Sequence, residues 1–420
     1  MCAKISSTEL ELLVREAAFG AAKTEKQSQI YGIARDSGIF TASIQGLYEA
    51  VGRGTYRGFT VPAMNLRGIT YDVARAAFRA AIKGQVGAFI FEIARSEMEY
   101  TLQSPAEYAA MVLAAAVTTG FQGPVFLQAD HTQVRRKNYL ADAAKEVDSM
   151  KNLIKDAIEA GFYNIDIDAS TLVDIQKKDL LEQQDLNARI TAGITQYIRS
   201  LEPEGITVSV GGEIGEIGAG NSTEGDLRAF MKVYRANLPA PLRGISKISV
   251  QTGTTHGGIA LPDGTIARVE LDFDTLEKLS RISREEYGLG GAVQHGASTL
   301  PDEMFDIFPR RGTLEVHLAT GFQNIIFDSP HFPQSLHQKI NAGLAVKYAG
   351  DRKSDETETQ FIYRNRKRAF GDFKAELWDL PPDNLREIGR ELEDRFALLY
   401  HKLNVMNTRD MVNKVIPKKS

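Results

Sequence analysis

A chain of 420 residues with 43% hydrophobic and 25% charged side chains has the composition of an ordinary folded protein, long enough for one barrel with terminal additions. Its net charge of -4 gives no electrostatic reason to bind nucleic acid or a membrane surface. Cys2 is the single cysteine, which excludes an intrachain disulfide and a cysteine-rich metal cage and points to a reducing, cytoplasmic setting. The opening MCAKISSTELELL lacks a signal-peptide core, and no run approaches the ~20 apolar residues of a membrane span.

Residues 1–57 carry apolar side chains at helical spacing, as at Leu10, Leu13 and Ala17 and again at Ile44, Leu47 and Val51, and are predicted to form a helical extension. From Phe59 the pattern changes. Strands are predicted at 59–65, 88–94 and 124–130, with helices at 71–83 and 105–119 stopped by Gly84 and Gly120. There follow helix 141–160, strand 164–170, helix 178–201 and strand 207–212. Strand 245–252, helix 273–286, strand 292–295, helix 302–309 and strand 314–320 complete the series. Eight strands with helices between nearly all of them predict an α/β fold, a (β/α)8 TIM barrel over residues 58–328. A doubly wound open sheet is the alternative, because periodicity does not show closure. Residues 329–420 read as a C-terminal helical extension, with a polar loop at 351–359 and a long helix from Leu385 to Leu403.

The run Val125-Phe-Leu-Gln-Ala-Asp130-His131 is an apolar strand ending in two adjacent ionisable side chains. Two more histidines hold equivalent places: His256 follows the strand at 245–252, and His295 ends the strand at 292–295. Each alone reads as an ordinary hydrogen-bonded residue. A barrel gathers its strand ends at one rim, however, and three imidazoles with an open fourth position make a catalytic zinc arrangement. Gly257 and Gly296 directly after two of them allow close backbone approach to a bound anion. The stretch Val210 to Asp226 is rich in glycine and carboxylates, including Glu213, Glu216 and Glu224. It is predicted to be a loop that brings a general base over substrate, with Glu213 in reach of the metal or its histidines. Its glycine spacing does not fit a dinucleotide fingerprint.

Several ordered pieces together resemble the class II, zinc-dependent fructose-bisphosphate and tagatose-bisphosphate aldolases. They are Pro62-Ala-Met-Asn65, Asp130-His131, Gly161 to Ser170, Gly212-Glu213-Ile-Gly215, Thr255-His256-Gly257 and His295-Gly296-Ala-Ser298. The resemblance spans roughly residues 59–328. It implies His131, His256 and His295 as ligands of Zn2+, Glu213 beside the metal, and Asp130 as the group exchanging a proton with the aldehyde-derived oxygen. It further implies Glu224 as the enolising base. Asn65, Gly257, Gly296 and Ser298, with His317 and Thr320 on the last strand, are implied to bind substrate or phosphate, and a monovalent cation, Na+ or K+, accompanies the phosphate in the family. The implied activity is reversible cleavage of a phosphorylated ketose to a dihydroxyacetone-phosphate-like product and an aldehyde, in a homodimer or homotetramer.

Three departures bear on the substrate. The family's Asn-x-Asp-Thr on the last strand is replaced by His317-Leu-Ala319-Thr320, the lysine usual after the His-Gly of Gly257 is missing, and a distal-phosphate arginine aligns loosely with Pro382. Ser104-Pro-Ala-Glu-Tyr108 and the chain length also resemble the non-catalytic subunit of tagatose-bisphosphate aldolases, which leaves an assembly partner of another aldolase chain as the alternative reading. A metal hydrolase of the amidohydrolase type is disfavoured because the first strand lacks His-x-His.

Overall fold

The computed structural model describes residues 5–215, 220–253, 261 and 270–416. Nine strands are present among them: β1 (Ile39–Ala42), β2 (Val61–Asn65), β3 (Ile90–Ala94), β4 (Gly123–Gln133), β5 (Asn164–Asp168), β6 (Ser209–Glu213), β7 (Lys247–Val250), β8 (Ala292–Gln294) and β9 (Glu315–Leu318). Every pairing is parallel, and β2 through β9 join in sequence order, with β9 returning to β2. The sheet is therefore a closed eight-stranded (β/α)8 TIM barrel, not an open sheet. Strands such as β2, β3 and β5 are buried at every position, because one face fills the barrel and the other is covered by helices. The covering helices follow local rules. Ser104 caps the helix Pro105–Thr119 by accepting from Glu107 N, Pro105 occupies its first turn, and Gly120 ends it in the left-handed conformation.

The N-terminal stretch is not wholly helical, since β1 lies within it and pairs with the first half of β4. Four residues are too few to show a strand period, and β1 is held by tertiary contacts. Asn164 at the start of β5 is the bracket: its side chain donates to Leu127 O (2.8 Å) and Ala42 O (3.3 Å) and accepts from Ile44 N (2.8 Å). Asn164→Ala is expected to cost about 1–3 kcal/mol, the penalty for buried backbone groups left unpaired, read as a lower denaturant midpoint. An unchanged midpoint would show that β1 docks without this bracket.

The C-terminal part forms helices including Gln334–Lys347, Pro382–Lys402 and Arg409–Val415. It returns to the base of the barrel, where Leu403 O accepts from Thr60 N (2.9 Å) and Thr408 Oγ1 accepts from Gly87 N (3.0 Å) and Ala88 N (3.1 Å). No helix among the described residues is long and apolar enough to cross a membrane.

Candidate functional site

A regular strand sends successive side chains to opposite faces, so Asp130 and His131 could not both serve one site on an unbroken β4. The strand solves this with a bulge. Its register against β5 shifts between Ala129 and Thr132, and His131 takes φ 38°, a rare value for a residue with a side chain. Both side chains consequently line one cleft of about 300 Å3. The strand also runs on to Gln133, past the end expected at residue 130.

Asp130 accepts from Asn65 Nδ2 (2.9 Å) and faces His317 Nδ1 (3.1 Å). His131 Nδ1 lies 3.1 Å from Asp168 Oδ2 and 3.3 Å from Glu213 Oε2. Asp168 is itself fixed by Gln133 Nε2 (2.7 Å), Ser170 N (3.0 Å) and Ser170 Oγ (2.7 Å), so it orients the imidazole as an outer carboxylate does in metal sites. His295 Nε2 is 3.0 Å from Ser249 Oγ, and its ring centroid is 4.2 Å from that of His131 and 4.0 Å from that of His317.

One donor atom each from His131, Glu213 and His295 can be chosen within 4.8 Å of one another, and the same holds for Asp130, His295 and His317. This donor set fits a divalent cation. The surroundings fit one too, because buried carboxylates are in excess there and buried negative charge requires a counter-charge. Burial, reinforced by Asp168, pushes the Glu213 carboxyl up to about 7 against the opposing pull of His131. Burial opposes charge on the His131 ring, yet Asp130 and Glu213 hold it well above the ordinary histidine value. His256 and Gly257 lie outside the described residues.

Beneath this group is a charged layer that the strand patterns did not reveal. Lys247 Nζ, fully buried, reaches Gln128 Oε1 (2.7 Å), Asp166 Oδ1 (2.9 Å) and Glu315 Oε1 (2.5 Å). Gln128 also donates to Glu92 Oε2 (2.7 Å), and Glu315 takes His317 Nε2 (2.5 Å) and the Tyr48 hydroxyl. Burial, with Asp130 adding to it, pushes the Glu92 carboxyl up to about 8, and burial pushes Asp166 to about 6. A signal did exist: Glu92, Asp166, Lys247 and Glu315 each interrupt a short apolar strand, an expensive place for a charge unless it faces a partner. Their partners lie on other strands.

Asn65, Gly296, Ser298, His317 and Thr320 all line the cleft, which brings these expected substrate-side residues together with Asp130, His131 and His295. Ser298 Oγ accepts from Ala319 N (2.5 Å), tying the loop after β8 to the end of β9. Glu224 is not in this group. It begins the helix Glu224–Asn237, and its carboxylate pairs with Arg228 Nη1 (2.9 Å) and with Lys278. The acidic loop therefore runs into a capped helix at Thr223, and Glu224 follows that helix outward. Pro382 is an exposed first-turn residue of the helix Pro382–Lys402. Cations reach the cleft from elsewhere, namely Arg67, Arg95, Arg135 and Lys367.

Fold and site together define a parallel (β/α)8 barrel with a metal-type donor set at the carboxyl ends of its strands. The chain matches the family model described as fructose-bisphosphate aldolase class-II over residues 47–365, and it belongs to that family. Among solved structures it is similar to a probable tagatose 6 phosphate kinase from Sinorhizobium meliloti 1021, at 14% identity and TM-score 0.59, covering 84% of this chain and 98% of that one. It is also similar to the YdjI aldolase from Escherichia coli K12, at 13% identity and TM-score 0.52, over 90% of this chain and 100% of that one. Fructose-bisphosphate aldolase from Campylobacter jejuni gives 16% identity and TM-score 0.50 over 88% and 97%. At these identities the likeness is one of fold. No curated protein matches the chain.

Proposed function

We propose that this chain is a zinc-dependent lyase that cleaves a phosphorylated ketose reversibly to a dihydroxyacetone-phosphate-like product and an aldehyde. The observation that carries the reading is the bulge in β4, which turns Asp130 and His131 into one cleft beside His295. His131, His295 and Glu213 would hold the ion, with His256 as a further imidazole by the family resemblance. Zinc in such a site supplies Lewis-acid stabilisation of charge developing on substrate oxygens.

The chain's own residues supply the rest. Cleaving a bond next to a carbonyl removes a proton from the aldehyde-derived hydroxyl, and Asp130 is the acceptor the cleft presents. Asn65 and His317 hold its two oxygens, and burial keeps water from competing for them. Burial works against the Asp130 charge, but His131 and His317 keep its carboxyl well below the ordinary range. Gly296 and Ser298 would take a phosphate, with Gly296 at φ 71° in the left-handed conformation that glycine adopts freely. Glu224, tied to Arg228 and Lys278, is given no part in enolisation. A non-catalytic subunit has no use for such a donor set, which weighs against that alternative.

Elemental analysis of the purified protein should find about one zinc per chain, the stoichiometry of a three-ligand catalytic site. His295→Ala should reduce zinc to background, and cleavage with it. Zinc content unchanged by that substitution would show that the donors are misassigned.

A further inference from the structure

We infer that Glu97 is a positioning residue of the cleft: acting through Asn65, it fixes the side-chain amide that holds Asp130. The catalytic meaning of that hold rests on the proposed function; the hold itself does not.

The backbone brings Glu97 to the right place. β3 lies between β2 and β4, with Asn65 registered against its Glu92 on one side and Asp130 against its Ala94 on the other. Directly after Ala94 the chain turns into the helix Arg95–Thr101, so Glu97 in the first turn folds back over the strand end. Its Oε2 accepts from Ala94 N (3.0 Å) and from Asn65 Nδ2 (2.8 Å), and that same nitrogen donates to Asp130 Oδ2 (2.9 Å). All three side chains are buried.

A side-chain amide has one acceptor atom and a nitrogen with two donor hydrogens. Set between two carboxylates, Asn65 satisfies both only with its nitrogen toward them, one hydrogen to each, and the reversed amide is excluded. Without the Glu97 carboxylate one buried hydrogen loses its acceptor, and the amide loses half of what orients it. Two like charges that share one amide need counter-charges, and each has its own. Arg67 Nε donates to Glu97 Oε1 (2.6 Å) and is itself held through Nη1 by Thr320 Oγ1 (3.2 Å) and Gln323 Oε1 (3.0 Å), while His317 faces Asp130. A carboxylate with an anchored cation on one oxygen and a backbone N–H on the other is a rigid acceptor, suited to fixing a neighbour that touches the reacting group. Glu97 also ties off the first turn of its own helix, and the experiment separates that role from the hold on Asn65.

The test is side-chain amide hydrogen exchange, followed by NMR of the zinc-loaded full chain with isotope-labelled asparagine. In Glu97→Ala the Asn65 amide, assigned by its loss in Asn65→Ala, should exchange about tenfold faster, the worth of one hydrogen bond to a charged group. Asn164, the buried bracket at the start of β5, should keep its rate. Unchanged exchange at Asn65, or equal acceleration at Asn65 and Asn164, overturns the inference, whether or not the protein proves to be an aldolase. In the cleavage assay Glu97→Ala should lower kcat about tenfold with a much smaller change in KM. Added to Asn65→Ala it should lower kcat no further, because Glu97 acts through that amide. Losses that multiply in the double variant would place its effect elsewhere and overturn the inference likewise. Failure of the wild type to cleave any ketose phosphate would instead count against the proposed function alone.

Discussion

Replacing Asp130 with alanine is expected to lower kcat by about 10²–10⁴-fold, the usual worth of a positioned proton-transfer group, while zinc stays bound. Metal should remain because His131, His295 and Glu213 keep their donor atoms. Turnover should fall because Asp130 is the carboxylate that meets both Asn65 and His317, whereas Glu97 touches only the first of them and Glu92 only the second. Asp130→Asn separates shape from chemistry. It preserves a side chain of the same size but cannot accept the proton, so it should be nearly as inactive as alanine. Turnover retained in either variant, with zinc measured and present, removes Asp130 from the mechanism.

The second large effect is on stability. Lys247→Met should destabilise the fold by about 3–5 kcal/mol, because it strands Asp166 and Glu315 as buried carboxylates whose shared counter-charge has gone. The loss would appear as a lower urea midpoint. The double variant Lys247→Met with Glu315→Gln should recover part of it, since one unpaired charge is then removed together with its partner. A single-variant loss below about 1 kcal/mol would show that the acids simply take up protons when the lysine is absent. Because Glu315 also holds His317, which faces Asp130, this layer joins the barrel's stability to the position of Asp130.

Much of the scaffold was legible in order along the chain. Apolar runs bounded by glycine and polar turns located all eight barrel strands, and Gly120 marked the end of the covering helix at 105–119. Four-residue β1 escaped because it is too short to carry a period and its register is set by Asn164, more than a hundred residues away. The position of Glu224 outside the cleft was not legible for a related reason. Spacing along a loop does not tell where the loop becomes helix, and the helix start at Thr223 turns that carboxylate toward Arg228 and Lys278.

The residue order by itself determined which strand tips carry ionisable groups, and so named Asp130, His131, His295 and Glu213 before any geometry was known. It could not determine that successive residues 130 and 131 face the same way, which needs the bulge against β5, nor that the strands close into a ring. Nor could it show that Lys247, Glu315 and His317 meet beneath the site, or that Lys367 comes back to the cleft from the far end of the chain. Those are decided by contacts between positions distant in sequence. Local periodicity reports only a segment's own hydrogen bonding and buried face, whereas partners across a barrel are fixed when closure brings the strands together.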